Sequence, residues 1–319
     1  MEDRRTRAVE ALRLADGSES PTEEQLLLEA PLEIHLNGEL VATTMRTPGD
    51  DFELAAGLLW SEGRISGPGV GIRRCPELGS PLGDPGDVVC VDDDAPVTPP
   101  ESGGERPALP RPRLGLTASS CGVCGVEQIE GLVFGLETLT APPLSRSSLF
   151  ALIDTLGSGT APASQELFAR TGGAHAAMVT DARGSVLVQR EDIGRHNAVD
   201  KVVGRLLLDG VLPALLNGAP PDASPPDAPR LDAKPSGGLP DPGGAVLMWV
   251  SGRVSFEIVQ KAWAAGIPLL VSVGAASALA VDTARRAGIT LLGFSRGGRA
   301  TLYTAADSHP AQSDLVDTQ

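Results

Sequence analysis

Two cysteines stand three positions apart in the run Ser119-Ser120-Cys121-Gly122-Val123-Cys124-Gly125. Apolar residues at helical spacing follow, so the pattern predicts a loop that enters a helix, with Ser119 or Ser120 as the N-cap. A thiol at this place lies near the positive end of the helix dipole, which lowers its pKa and raises its thiolate fraction. The spacing therefore suits a nucleophilic thiolate at Cys121, with Cys124 as a second thiol.

Four kinds of site share this cysteine spacing, and the residues alone leave them open. Structural zinc needs four ligands, but Cys75 and Cys90 form no second pair and the four histidines are scattered, so we predict no metal. A redox dithiol usually lies early in a small domain of βαβ type. An inert turn of small residues is the plainest alternative. In the last alternative, one thiolate carries a sulfur atom and the other helps to release it.

Three apolar stretches predicted as strands each run into a turn of small residues. The turns are Ser251-Gly252-Arg253, Gly274-Ala275-Ala276-Ser277 and Phe294-Ser295-Arg296-Gly297-Gly298-Arg299. Ligands of open parallel sheets bind beyond the carboxyl ends of the strands. Small residues allow close approach of the backbone, and arginines with free helix N–H groups suit phosphate or pyrophosphate. Together the turns predict an anion pocket, with ordinary turns and solvated arginines as the alternative.

A dense polar segment, residues 191–201, precedes an apolar helical stripe. Asp192 is a predicted helix cap, and Arg195 and His196 fall in the first turn. Polar groups packed this closely are typical of a site, so we predict that Arg195, His196 and Lys201 contribute to it. A capped helix start held by salt bridges is the alternative.

Spacing within this helix predicts which polar side chains meet. His196 and Asp200 are four residues apart, so they share a face and a pair between them would orient the imidazole. Asn197 and Lys201 share another face. Outside the helix, His175 begins a strand and either faces the site or is a satisfied core histidine.

The chain has 319 residues, 41% of them hydrophobic, which is enough for one large core or two smaller ones. Its formal net charge of −15 argues against non-specific nucleic-acid binding and adhesion to anionic membranes. No apolar run reaches membrane-spanning length, and no apolar stretch of a signal peptide follows the N-terminal arginines. A cysteine pair with two lone cysteines suits a reducing compartment, so we predict a cytoplasmic protein.

Periodicity and turn residues divide the chain into segments. The predicted segments are a mobile tail (1–28), a small N-terminal α+β domain (29–115), the cysteine loop with its helix (116–144), an α/β domain (145–306) with a disordered proline-rich insertion (217–244), and a tail (307–319). In the N-terminal domain, Asn37-Gly38 predicts a hairpin turn. Asp50 and Glu53 predict a capping box for a helix that ends at Gly63. In the second half, unbroken apolar strands alternate with helices, which predicts a mostly parallel sheet covered on both faces.

Taken together, these segments resemble the formate dehydrogenase accessory sulfurtransferase family (FdhD/NarQ). The similarity covers about residues 29 to 304, in the right order. Its motifs are Pro31-Leu32-Glu33-Ile34 with Asn37-Gly38, Met45 to Leu59 with Glu62-Gly63, Ser120 to Gly125, Thr171 to Ala176, Glu191 to Lys201, Ser251-Gly252-Arg253, and Gly293 to Arg299 with Tyr303. One departure is Ala275-Ala276-Ser277, where the family commonly has Ala-Pro-Thr. The resemblance implies a cytidine-deaminase-like three-layer domain without deaminase zinc, plus the smaller N-terminal domain.

The resemblance also implies a function. A cysteine desulfurase would load persulfide sulfur onto Cys121, and the sulfur would pass to the molybdenum cofactor in its bis-guanine-dinucleotide form before insertion into formate dehydrogenase. Phe294 to Arg299 correspond to the cofactor site, and the family favours a homodimer. The alternatives are a cofactor-binding chaperone without covalent sulfur transfer and, less favoured, a degenerate deaminase.

Overall fold

The computed structural model describes residues 4–79, 84–94, 113–117, 126–133, 135–139, 165–181, 184–212 and 245–305. The cysteine loop around Cys121 and Cys124, the helix predicted from Ser145, the 217–244 insertion and the 307–319 tail lie outside these residues. The strands are β1 (Thr6–Ala15), β2 (Ser18–Leu27), β3 (Ala30–Leu36), β4 (Glu39–Arg46), β5 (Gly71–Arg74), β6 (Val88–Asp92), β7 (Arg113–Thr117), β8 (His175–Asp181), β9 (Val186–Asp192), β10 (Ala245–Val250), β11 (Leu269–Ser272), β12 (Thr290–Arg296) and β13 (Arg299–Thr304). The helices are α1 (Asp51–Ser61), α2 (Val126–Val133), α3 (Glu166–Thr171), α4 (Arg195–Leu208), α5 (Phe256–Ala264) and α6 (Ala278–Ala287).

The N-terminal segment predicted as a mobile tail is instead a β-hairpin. Strands β1 and β2 pair antiparallel over their full length around the turn Asp16-Gly17. Both turn residues have positive φ, 52° and 75°, which is the geometry that Asp-Gly favours in two-residue hairpin turns. The prediction was wrong because most side chains of both strands are exposed, so the apolar alternation that marks a half-buried strand is missing.

Strands β3 to β7 form a five-stranded mixed sheet in the order β5-β6-β3-β4-β7. The predicted turn at Asn37-Gly38 is confirmed, with φ values of 50° and 85°. The end of α1 at Gly63 is also confirmed, since the Gly63 N–H donates to the Trp60 carbonyl. The predicted capping box is wrong. The backbone of Asp50 adopts the left-handed conformation, and its side chain makes no hydrogen bond to the helix start. The Glu53 carboxylate instead accepts from Arg190.

Cys75 and Cys90, expected to be lone thiols, form a disulfide with Cα atoms 6.1 Å apart. Antiparallel pairing of β5 with β6 places Arg73 opposite Cys90 and so brings Cys75 to the same end of the hairpin. The pairing depends on this register, which the sequence spacing does not reveal.

The second sheet has six strands in the order β13-β12-β11-β10-β8-β9. Only the pairs β10–β11 and β11–β12 are parallel, so the mostly parallel sheet that we predicted is a mixed sheet. Two of the antiparallel pairs are hairpins: β9 returns from β8, and β13 returns from β12 through Gly297 and Gly298. The result is a mixed α/β fold with several sheets. Its likeness to cytidine deaminases stays a prediction.

One hydrophobic cluster joins the two sheets. It contains Leu32 and Ile34 of β3, Leu54 of α1, Val199 of α4 and Met248 of β10. Because this cluster contains residues of both sheets, it does not separate the two predicted domains, and the division stays a prediction. The helix predicted after the cysteine loop is confirmed as α2, and its last residues, Leu132 and Val133, belong to the same cluster.

Helices α1 and α4 cross where Gly57 faces Gly204. A methyl group on Gly57 would overlap the Asp200 carbonyl, and one on Gly204 would overlap the Glu53 carbonyl. The absence of side chains at both positions lets the two helix backbones touch and so sets the distance between α1 and α4.

Candidate functional site

A cavity of about 360 Å³ opens at one end of the six-stranded sheet, on the face opposite α4 and α5. Two groups of residues line it. The first comes from strands and strand ends: His175, Trp249, Ser251, Val273, Ser295, Arg296 and Gly297. The second comes from α3 and the loop after it: Gln165, Phe168, Gly172, Gly173 and Ala174. The cavity thus combines an arginine and an imidazole with two aromatic rings.

Beside the cavity lining, glycines join the ends of β10, β11 and β12. The Gly274 N–H donates to the Gly252 carbonyl at 3.3 Å, and the Phe294 N–H donates to the Gly274 carbonyl at 3.0 Å. A methyl group on Gly274 would come within 2.9 Å of the Gly252 oxygen, and one on Gly293 within 2.7 Å of the Tyr303 ring. Backbone hydrogen bonds therefore join the three strand ends, and a side chain at Gly274 or Gly293 would force neighbouring atoms to shift. A methyl group on Gly252 would instead meet the side chains of Arg195 and His175, at 3.3 and 3.5 Å, so the close backbone approach predicted for Gly252 stays a prediction.

His175 lies on the cavity wall and is hydrogen-bonded to Ser251. The Ser251 Oγ accepts from the Ala176 N–H at 2.9 Å, so its own proton is free to donate to His175 Nδ1, 3.3 Å away. Burial lowers the pKa of His175, and the nearby Arg195 guanidinium lowers it further, against an opposing effect of Asp192. The lowered pKa keeps the imidazole neutral at neutral pH. Arg195 itself packs its aliphatic stem beside the Gly252 position.

The segment from Phe294 to Arg299 forms a bulge and a tight turn. Phe294 adopts a positive φ of 51° and is 54% exposed, which is an uncommon conformation for a bulky residue and marks local strain. Ser295 is buried and Arg296 is exposed on the cavity wall. Arg296 pairs in register with Arg299 across the turn of Gly297-Gly298, so two guanidinium groups stand on neighbouring strands. Like charges opposite each other are unfavourable unless an anion lies between them.

Glu191 positions the other wall of the cavity. Its carboxylate accepts from the Leu167 and Phe168 N–H groups, both at 2.9 Å, and so caps α3. This contact fixes Phe168 and the Gly172-Gly173 loop against the cavity. A short helix before Thr171 was predicted and is confirmed as α3, but the sequence analysis did not identify Phe168, Trp249 or Val273 as cavity-lining residues. The apolar strand containing Trp249 showed that the residue is buried, but not which sheet face it occupies.

Lys201, predicted as a cofactor-binding residue, is 1% exposed and lies away from the cavity lining. Its Nζ forms an ion pair with Asp192 at 2.8 Å and donates to the Thr47 carbonyl at 3.1 Å. Asp192 also accepts from the Thr47 and Gly194 N–H groups, and Asn197 donates to both Asp192 and the Met45 carbonyl. In the described residues Lys201 thus joins α4 to the loop after β4, which fits the alternative of a helix start held by salt bridges, and its role toward a cofactor stays a prediction.

His196 is also directed away from the cavity lining. Its Nε2 lies 3.2 Å from Ser255 Oγ and 3.1 Å from Glu257 Oε2, at the start of α5. Asp200, predicted as its partner, accepts from Lys261 at 2.6 Å. The partners come from α5, which lies far away in sequence, so helical spacing alone did not identify them.

The remaining predicted residues occupy varied places. Arg253 is exposed at the end of β10, and Gly298 and Arg299 lie in the β12–β13 turn beside the cavity. Within the described residues, no group of three or more His, Cys, Asp or Glu side chains is arranged to hold a metal ion. In that same part of the chain, every helix is too short or too polar to cross a membrane.

Comparison with known proteins gives a consistent result. The chain matches the FdhD/NarQ family over residues 27–216 and 238–309. A protein of Streptomyces avermitilis named sulfur carrier protein FdhD is 38% identical over 296 residues, covering 92% of this chain and 91% of that protein. A protein of the same name from Anaeromyxobacter dehalogenans is 42% identical over 281 residues, covering 87% and 86%.

One solved structure has the same fold. It is described as a candidate formate dehydrogenase accessory protein from Desulfotalea psychrophila, with a TM-score of 0.63 and 22% identity, over 94% of this chain and 97% of that one. Since the family match covers most of the chain and the relatives align along nearly their whole length, the chain belongs to the FdhD/NarQ family.

Proposed function

We propose that this chain is a sulfur carrier in the maturation of a formate dehydrogenase. It takes persulfide sulfur from a cysteine desulfurase and passes it to the bis-guanine-dinucleotide molybdenum cofactor, its bound substrate. Relatives named sulfur carrier protein, aligned over about nine-tenths of the chain, support the sulfur-carrying role. The observation that carries the cofactor part is the cavity, which offers arginine, imidazole and aromatic groups at one sheet edge.

The chemistry of the cavity fits a large nucleotide-bearing anion. Arg296 and Arg299 stand across a two-glycine turn and suit pyrophosphate oxygens. Phe168 and Trp249 offer flat apolar surface for a planar ring system. The neutral His175 offers a ring nitrogen for hydrogen bonding without adding charge.

Sulfur loading is a thiol-exchange reaction. The Cys121 thiolate attacks the outer sulfur of the donor persulfide, an S–S bond forms on Cys121, and the donor cysteine leaves as its thiolate. For release, the Cys124 thiolate attacks Cys121 Sγ. That step breaks the persulfide bond, forms a Cys121–Cys124 disulfide and frees hydrosulfide for the cofactor. A dithiol reductant then restores both thiols.

A second function is favoured by one observation. The helix that follows the cysteine loop, α2, packs into the hydrophobic cluster that joins the two sheets. The cavity, in contrast, opens on the other face of the six-stranded sheet. This separation suits a chaperone that binds the cofactor without covalent sulfur transfer. Both functions agree with a cytoplasmic homodimer, which is part of the proposal.

Mass spectrometry separates the two functions. The purified protein is incubated with a cysteine desulfurase and cysteine, and peptides are analysed without reduction. Sulfur carriage predicts one added sulfur atom on Cys121, its loss in Cys121→Ala, and its retention in Cys124→Ala. Delivery to the cofactor is slowed in Cys124→Ala. If Cys121 gains no sulfur while the protein still binds guanine nucleotide, the chaperone function is correct.

A further inference from the structure

The β1–β2 hairpin has one face with a composition unlike the rest of its surface. The register places Glu10, Leu12, Leu14, Glu19, Pro21 and Glu23 on that face, which we call the acidic hairpin face. Leu12 is 62% exposed and Leu14 is 71% exposed. The opposite face carries Arg7 and Arg13, the latter paired with Glu24 at 2.7 Å. The acidic hairpin face has three carboxylates and no basic side chain.

Two of these carboxylates destabilise the hairpin by repelling each other. Glu10 and Glu23 are direct cross-strand partners, and like charges in that position destabilise an antiparallel pair. A two-stranded hairpin is already marginal alone. A cation between the two carboxylates would remove the repulsion, and the adjacent leucines would gain from apolar contact. The face is therefore suited to a basic and apolar ligand.

The base of the hairpin is tied to the wall of the cavity. Arg170 of α3 donates to Thr6 Oγ1 at 2.8 Å, and Arg5 lies 3.9 Å from Glu166. Leu27 lies against Gly173, which lines the cavity. The hairpin is thus anchored at its base to the cavity wall, and the Glu10–Glu23 pair lies four residues, or about 13 Å, further along the strands.

We propose that the acidic hairpin face docks a basic, apolar segment of the oxidoreductase that receives the cofactor. This inference rests on the proposed function. Charge decides against a second copy of the chain on this face, because three carboxylates would meet three carboxylates. An anionic membrane is excluded for the same reason. The family match begins at residue 27, so the assignment concerns residues outside the matched segment.

The test measures binding to the catalytic polypeptide of formate dehydrogenase from the same organism, purified without molybdenum cofactor. Biolayer interferometry at low salt compares the full chain with Glu10→Gln/Glu23→Gln and Leu12→Ser/Leu14→Ser. The matched control is Glu24→Gln, which removes a glutamate from the opposite face. We expect each double variant to weaken binding about tenfold or more, and the control to stay within about twofold.

Thermal melting distinguishes docking from a folding role. Because Glu10→Gln/Glu23→Gln removes a repulsion, its melting temperature should equal or exceed that of the parent chain while its binding falls. Equal binding by parent and both double variants overturns the proposal, as does an equal loss in the Glu24→Gln control. Absence of any binding by the parent chain overturns it too. The persulfide assay on the same samples separates these outcomes from failure of the proposed function, since loading of Cys121 does not need the oxidoreductase.

Discussion

The ion pair of Lys201 with Asp192 offers the sharpest test of what holds the molecule together. Both side chains are almost completely buried, and their atoms lie 2.8 Å apart. Replacing Lys201 with Met keeps the apolar stem but leaves a buried carboxylate with only N–H donors from Thr47, Gly194 and Asn197. Breaking a buried pair in this way costs about 3–5 kcal/mol. The surviving donors place the expected loss near the lower bound, about 3 kcal/mol.

Urea denaturation, followed by tryptophan fluorescence, measures this loss. The double variant Lys201→Met/Asp192→Asn should lose less than the sum of the single variants, because neither charge remains buried without its partner. Arg285→Met is the control: its pair with Asp282 is exposed, so stability should change by less than about 1 kcal/mol.

The same variant tests where Lys201 acts. Since Lys201 does not line the cavity, Lys201→Met should bind GDP like the parent chain under conditions where both are folded. Undiminished stability together with lost GDP binding would refute this reasoning and return Lys201 to the cofactor site.

Three further predictions concern packing, binding and pH. Gly204→Ala should destabilise the protein by about 3 kcal/mol, seen as a lower urea midpoint, because its methyl group meets the Glu53 carbonyl; a change below about 1 kcal/mol would contradict the helix crossing. Arg296→Gln should weaken GDP binding about tenfold in calorimetry, while Arg285→Gln, remote from the cavity lining, leaves it unchanged. The lowered pKa of His175 makes the unfolded chain take up the proton first, so stability is unaffected above the ordinary value of 6.5 and falls as the pH drops below it. Urea midpoints from pH 7.5 to about pH 5 should therefore fall less steeply in His175→Gln than in the parent chain, and parallel curves would contradict the assigned neutral state.

Three segments show which parts of the fold can be predicted from neighbouring residues alone. Asn37-Gly38 fixed a turn because its preferred dihedral angles match the twist of paired strands, and no distant contact is needed. The strand before Ser251 was predictable because an unbroken apolar run is long enough for one buried strand. Asp16-Gly17 carried an equal turn signal, but the exposed strands around it hid the hairpin.

The sequence by itself determined most strands and turns, the cysteine motif and, through the order of its motifs, the family. Tertiary structure alone decided that Lys201 pairs with Asp192, that His196 meets Glu257, and that Cys75 bonds to Cys90. Turn and strand preferences arise from sterics and burial within a few residues, which a sequence displays directly. The partner of a buried charge is chosen by the register of strands and the crossing of helices, which bring together residues far apart in the chain.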